Sequence, residues 1–295
     1  MSGPCAPSGL HTLLIDAHTH LYDAYGDDLF FDSALANLEA AAAQLAVGGD
    51  WWGCLLFSET SRDNAFERLR EQAGSLDGGR WSCRRTEEEE SLIAQVEGQD
   101  RLIVVAGRQI RTAEGLEVLA LCCRAEFQDG LPFDVTLDRV RERGAVAVLP
   151  WGFGKWWFAR ARVMRSFLSS QQASSVYLGD NGGRPAVFPD PPLFKLAYRL
   201  GIFVLPGSDT LPLASEAARV ARYGFRIRGR LDITRPACGI KALLEAQTTP
   251  PRIFGRREGL AAFVRHQTAL RLRRHGKAST RSRAGRARIG RTGAD

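Results

Sequence analysis

The sequence predicts an α/β domain, a TIM-like barrel of about seven strand–helix steps, closed or nearly closed. Three observations lead there. Short apolar segments alternate with helical ones along most of the 295 residues, which implies parallel strands joined by right-handed crossovers. The first strand is not followed by the GxGxxG turn that an open dinucleotide-binding sheet needs. A 44% hydrophobic chain of this length buries one large core more readily than two small ones.

The elements follow from local pattern. Leu13–Asp16 is a short apolar strand that runs into a polar turn. Asp32–Ala46 is rich in Ala and Leu at helical spacing. Trp51–Phe57 reads as a buried strand, and Ser61–Gln72 as a helix with Ser61 at its N-cap. Asp77–Glu90 is an irregular, charged excursion whose four glutamates start a solvated helix. Leu102–Ala106 and Leu116–Cys122 are strands, and the turn Arg111–Gly115 between them suggests a hairpin. Helices are expected over Val135–Arg143, Trp157–Ser169, Leu193–Leu200, Leu213–Arg222 and Arg257–Arg274. Strands are expected over Ala145–Leu149, Val176–Leu178 and Ile202–Leu205.

Charge divides the chain. The formal net charge is +7, but residues 271–295 hold nine Lys or Arg against Asp295, a net of +8. Residues 1–270 therefore sum to about −1. A nucleic-acid-binding domain needs a basic face on the domain itself, and this body lacks the charge for one. The expected organisation is an N-terminal extension (1–12), one domain (13–270) and a basic, disordered tail (271–295), whose charge allows weak contact with nucleic acid. No run of about 18 apolar residues appears, so no membrane span is expected. The start of the chain lacks a basic and apolar leader, and the six Cys form no CxxC, which fits reduced thiols in a cytoplasmic protein.

In a barrel the active site gathers where the strands end, so the residues after each strand carry the chemistry. The first strand ends in Asp16-Ala17-His18-Thr19-His20. Positions i and i+2 of an extended segment face the same way, so His18 and His20 can share one divalent ion, and imidazole suits Zn, Mn or Fe. Glu59 follows the second strand, as a ligand, a base or a charge at a helix N-terminus. Arg108 and Gln109 follow the third. The loop Pro150–Trp156 combines two glycines with Lys155 and can hold a phosphate or carboxylate, or its tryptophans simply pack. Asp180 and Arg184 follow the next strand, where Asn181 and two glycines are also plain turn chemistry. Asp209 stands in the loop after the last, as a ligand or as the head of an Asx turn.

The order of these segments resembles the PHP (polymerase and histidinol phosphatase) family of metal-dependent phosphoesterases, over about Leu14 to Leu213. His18-Thr19-His20 is similar to the family's opening HxH, and the stretch from Val105 to Leu121 to its hairpin segment. Gly144–Gly152 resembles the segment that usually ends in Ala-His-Pro, and Gly201–Leu211 the one that ends in G-S-D-x-H. The resemblance implies a distorted seven-stranded barrel and a phosphoester substrate. The departures are specific. Gln109 stands where the family has a bridging Glu, while Leu149 and Leu211 replace two histidines. Ser58-Glu59-Thr60 holds the place of an Asp-His pair. The family's three-ion cluster is thus reduced to one ion on His18, His20 and Asp209. The amidohydrolase superfamily also opens with HxH, but it adds further histidines that are missing before His266.

The expected function is a mononuclear metal hydrolase acting on a small anionic substrate. Glu59 or Asp180 takes the proton, and Lys155, with Arg108 or Arg184, holds the negative charge. The alternative is a protein of the same fold that has lost hydrolysis and binds a ligand or partner.

Overall fold

The computed structural model describes residues 9–74, 79–266 and 268. The basic tail expected over 271–295, and the start of the N-terminal extension, lie outside the described residues. No helix among the described residues is long and apolar enough to cross a membrane.

The chain forms two open sheets rather than the expected barrel. The seven-stranded sheet has the order β12-β11-β1-β2-β5-β4-β3, and the five-stranded sheet β10-β9-β8-β7-β6. The strands of the first are β1 (Gly9–Thr19), β2 (Trp51–Phe57), β3 (Trp81–Arg85), β4 (Ser91–Val96), β5 (Gln99–Val105), β11 (Tyr223–Leu231) and β12 (Arg252–Gly255). Those of the second are β6 (Gly107–Arg111), β7 (Glu117–Leu121), β8 (Val146–Pro150), β9 (Val176–Asn181) and β10 (Val204–Gly207). Parallel pairing holds for β1 with β2, β2 with β5, β8 with β9 and β9 with β10. The other ladders are antiparallel.

A strand has two hydrogen-bonding edges, and this explains why no barrel closes. Both edges of β1 are taken, by β2 and by the antiparallel β11. Both edges of β5 are taken, by β2 and β4. The end strands β6 and β10 of the second sheet therefore reach the first only beyond those paired stretches, past Ile15 of β1 and past Leu56 of β2. The two sheets join there at two seams of one or two backbone hydrogen bonds. At one, Glu59 N–H donates to Gly107 O (3.1 Å) and Gln109 N–H to Glu59 O (2.7 Å). At the other, Asp209 N–H donates to His18 O (2.8 Å).

The core follows the alternation of the strands. Leu13, Ile15 and Ala17 of β1 face the second sheet and pack with Leu119, Val148 and Leu205. Leu14 points to the opposite face, against Phe30 and Leu38 of α1 (Asp27–Gln44). The outer face of the second sheet is covered by α3 (Phe133–Glu142), α4 (Ala159–Leu168) and α5 (Pro192–Arg199), through Leu137, Met164 and Phe194. The α6 helix (Pro236–Glu245) closes one end of the inter-sheet core with Ala237, Ile240 and Leu244.

Several local expectations change. The charged stretch before Leu92 holds β3 and then a turn, not a helix start, while 77–78 lie outside the described residues. Glu88 from that turn accepts the Cys238 N–H (3.1 Å) at the start of α6. The hairpin pairs β7 with β6 rather than with β5. Leu213–Arg222 is a short 3-10 turn, Ala214–Arg219, and 260–266 are helical within the expected last helix.

Gly207 marks where β10 lies against β1. A Cβ there would come within 2.4 Å of His18 N and 2.5 Å of His18 Cβ. Overpacking of this kind costs about 1–3 kcal/mol. Gly207→Ala is therefore expected to lower the midpoint of thermal unfolding by several degrees. An unchanged midpoint would mean that the seam is looser than described.

Candidate metal centre

The site starts at the end of β1. The strand stays extended to Thr19, so His18 and His20 leave it on one face, as their spacing requires. Asp209 arrives from the end of β10 in the left-handed region (φ +44°), which a non-glycine residue adopts only where its surroundings hold it. The bond from its N–H to His18 O is one such hold. The Asp16 carboxylate supplies more. Fully buried, it accepts the N–H groups of His18 (3.1 Å) and Ser208 (2.8 Å) on Oδ1, and that of Ala221 (3.0 Å) on Oδ2. Burial pushes its pKa up to about 6 against these three donors, so it is ionised at neutral pH.

The three donors converge. Asp209 Oδ1 lies 3.5 Å from His18 Nε2 and 3.6 Å from His20 Nε2. Tetrahedral bonds of about 2.1 Å place neighbouring ligands roughly 3.4 Å apart, so this spacing fits one ion shared by all three. Electrostatics agree. Burial favours the neutral form of both partners, and it lowers the His18 pKa, leaving the imidazole unprotonated as a metal ligand requires. Asp209 goes the other way. Burial alone would raise its pKa, but the neighbouring His18 and His20, with Lys155 beyond them, hold it well below the ordinary carboxylate value. The site therefore keeps the Asp209 carboxylate ionised beside the His18 imidazole.

Supporting contacts surround the donors. Asn181 donates to Asp209 Oδ2 (2.6 Å) and to Trp151 O (3.1 Å), fixing the carboxylate against the second sheet. Tyr22 stacks on His20 with ring centroids 5.2 Å apart. Gln109 places Oε1 2.9 Å from His18 Nε2, within reach of the same position. A cavity of about 340 Å³ opens here, and His20, Tyr22, Gln109, Lys155, Asn181 and Asp209 line it. A larger cavity of about 510 Å³, lined by His11, Trp51, Trp52 and Arg101, contains none of these donors.

The other residues singled out from the sequence lie elsewhere or are engaged. Lys155 reaches the cavity and pairs with Glu117. Glu59 does not line the cavity. Its Oε1 accepts the Phe66 N–H (2.8 Å) at the start of α2 (Ala65–Glu71), and its Oε2 meets Arg108 Nη1 (3.2 Å). That is the helix N-terminal charge that the sequence left open. Arg108, mostly buried, also reaches Glu126. Asp180 is clamped by Arg184 through two bonds of 2.7 and 2.8 Å, and Tyr223 donates to it as well (2.8 Å). Arg184 is buried in that pair, so its charge is already spent. Sequence reasoning missed three supports. Asp16 stood next to the HxH pair, directly after the apolar run Leu13-Leu14-Ile15, which was its signal. Asn181 read as turn chemistry, and Tyr22 carried no signal at all.

No family model matches this chain, and no curated protein matches it. Solved structures do. The crystal structure of PsfC from Pseudomonas syringae PB-5123 aligns with a TM-score of 0.50 at 14% identity, over 91% of this chain and 99% of that one. The lesion-specific endonuclease PfuEndoQ from Pyrococcus furiosus aligns at 0.45 and 10%, over 83% of this chain and 58% of that one. An Endonuclease Q complex with a 27-mer duplex containing an abasic lesion aligns at 0.42 and 12%, over 79% and 56%. This chain thus spans a little over half of each endonuclease. The likeness to PsfC is one of fold alone, and the other two are weaker still.

Two outcomes test the site. Asp16→Ala leaves three buried N–H groups unpaired, at about 1–3 kcal/mol each, so denaturant unfolding at pH 7 is expected to show a loss of at least about 3 kcal/mol. A loss under about 1 kcal/mol would mean that water or another side chain takes over these donors. Asp209 supplies the pH dependence. Its folded value lies below the ordinary 3.8, so its contribution is present above that value and fades as pH falls below it. The stability gap between wild type and Asp209→Asn is expected to narrow on acidification below about pH 4. A gap that is flat or widens would contradict the geometry.

Proposed function

We propose that this protein is a metal-dependent hydrolase of a small anionic substrate, with a phosphoester as the substrate class. The observation that carries the reading is the convergence of His18, His20 and Asp209 on one position at the wall of a cavity that also holds a lysine. These donors suit Zn, Mn or Fe as the resident ion. Such an ion, when bound, acts as a Lewis acid and lowers the pKa of a coordinated water.

The chain's own residues supply the rest. Asn181 holds Asp209 Oδ2, which leaves Oδ1 for the ion. Tyr22 packs on His20 and limits its ring rotation. Lys155 sits on the cavity wall and exchanges its partner Glu117 for the substrate's negative charge. Glu59 and Asp180, the bases suggested by sequence, act in this reading as struts, because each is tied to an arginine.

One observation favours binding without hydrolysis. Both of those carboxylates are engaged, and Gln109, which carries no charge, faces His18. The two readings share the metal and differ in turnover.

The decisive measurement is metal content of the purified protein, followed by a screen with phosphoester and amide substrates. About one equivalent or more is expected in the wild type, with both the ion at this site and hydrolysis lost in the His18→Ala, His20→Ala double variant. Less than about 0.1 equivalent in wild type after reloading with Zn or Mn would sink the metal reading, since built sites fill near stoichiometrically. Bound metal with no turnover on any substrate would favour the binding protein.

A further inference from the structure

The body of the chain sums to about −1, yet its charges are segregated. Arg226, Arg228 and Arg230 alternate along β11. Phe225 and Ile227 between them point into the inter-sheet core, so the arginines stand on the outer face of the sheet. Register gives the same face, because Arg226 lies opposite Leu14, which packs on the α1 side. On its other edge Arg226 is in register with Arg252 of β12, which adds another guanidinium. Arg228, Arg230 and Arg252 are exposed, and Arg226 is half-buried. No acid stands opposite them: the β1 positions facing Arg226, Arg228 and Arg230 are Leu14, Thr12 and Leu10. None of these arginine side chains makes an ion pair or hydrogen bond among the described residues.

The other end of the ribbon continues the charge. Arg222 just before β11 and Arg256 just after β12 line a cavity of about 410 Å³ together with Arg265. The acids of this cavity are already taken. Glu216 lies in the 3-10 turn Ala214–Arg219, Glu258 follows β12, and His266 ends the helical stretch 260–266. Arg219 Nη1 sits 2.7 Å from Glu216 Oε2 and 3.0 Å from Glu258 Oε1. His266 meets the same two acids, with Nε2 3.2 Å from Glu216 Oε1 and Nδ1 2.8 Å from Glu258 Oε1. Arg222, Arg256 and Arg265 are exposed and have no carboxylate partner among the described residues. Like charges collected on one ribbon repel one another, and a partner of opposite charge offsets that repulsion.

We propose that the outer face of the β11–β12 ribbon is a docking surface for a nucleic-acid duplex, held through its phosphate backbone. Residues on one face of a strand lie about 7 Å apart, so Arg226 to Arg230 spans about 14 Å. A duplex presents a phosphate charge about every 1.7 Å of its axis, so that length meets several of them. A single strand would call for aromatic rings on which its bases stack, and the positions of β1 and β12 opposite the arginines offer none. A membrane surface would call for apolar groups that insert between the cations, and of those positions only Leu10 is a large exposed one. Contacts of this kind position a duplex without reading its bases. A basic face on the domain thus exists although the domain as a whole is near neutral, and it stands on residues outside the metal reading.

The test uses the full chain and a labelled DNA duplex of about 30 base pairs, with affinity read by fluorescence anisotropy from about 50 to about 200 mM NaCl and folding by circular dichroism. The variant Arg226→Gln, Arg228→Gln, Arg230→Gln, Arg252→Gln is expected to bind at least about tenfold more weakly. Its slope of log affinity against log salt should fall by about 2 or more, since each lost phosphate contact removes about 0.9. The full chain keeps the basic segment 271–295, so a slope that stays unchanged assigns any binding to that segment and overturns the proposal. A control removes the same charge elsewhere, with Arg139→Gln, Arg143→Gln, Arg162→Gln and Arg165→Gln on and beside α3 and α4. It is expected to weaken binding less than about threefold, and a loss equal to that of the ribbon variant overturns the proposal. Should the ribbon variant not fold, Arg228→Gln with Arg230→Gln, both at exposed positions, is read in the same way, with a slope change of about 1 or more expected. Phosphatidylserine vesicles that bind wild type but not the variant, with duplex binding unchanged, overturn it in favour of a membrane surface. No duplex binding at about 50 mM NaCl overturns it whatever metal the protein holds.

Discussion

A single buried carboxylate, that of Asp16, gathers backbone N–H groups from its own strand end at His18 and from two distant positions, Ser208 and Ala221. Buried amides need partners, and no other acceptor takes these three among the described residues. The carboxylate satisfies all of them at once. It thereby fixes the end of β1, the loop after β10 and the approach to β11 relative to one another. One of these amides is that of His18 and another precedes Asp209, so both side chains inherit their positions from a residue that does not line the cavity. Ionisation of a fully buried acid works against folding, and the three charge-assisted bonds oppose that cost.

The same region explains how two open sheets build one site. Because β11 takes one edge of β1 as far as Ile15 and β4 takes the outer edge of β5, the second sheet meets the first at seams of one or two backbone hydrogen bonds. Both seams lie where β1 and β2 end. One brings Gln109 toward His18, and the other brings Asp209. Alternation along β1 then sends Leu13, Ile15 and Ala17 into the shared core, which leaves the polar end of the strand at the cavity. Gly207 permits the close approach, since a side chain there would meet the backbone of His18.

Arginines take up most of the acids near the site. Arg108 holds Glu59, Arg184 holds Asp180, and Arg219 is shared by Glu216 and Glu258. Such pairs hold loops in place, since removing one partner would strand a buried charge. They also sort the carboxylates by role. Asp209 is left with two imidazoles and an amide but no arginine. Glu216 and Glu258 have half an arginine each, and the remainder of their charge is turned toward His266.

The sequence by itself determined the α/β class, most strands of the two sheets and the HxH pair, because these depend on local periodicity: period two along a strand, period three to four along a helix. It also separated a near-neutral body from a basic tail, which is a matter of counting. That His18, His20 and Asp209 could lie together was legible because each sits at a strand end with few competitors. Tertiary structure decided the rest. The edges of β5 and of the first part of β1 are taken by β4 and β11, neither of which the local pattern revealed. The roles of Glu59 and Asp180 depended on arginines 49 and four positions away, whose proximity comes from the β2–β6 seam and from the turn after β9. Glu216, Glu258 and His266 meet across 50 residues of chain. Their meeting is a property of packing, since no spacing in the sequence brings a 3-10 turn, a loop and a terminal helix to one wall.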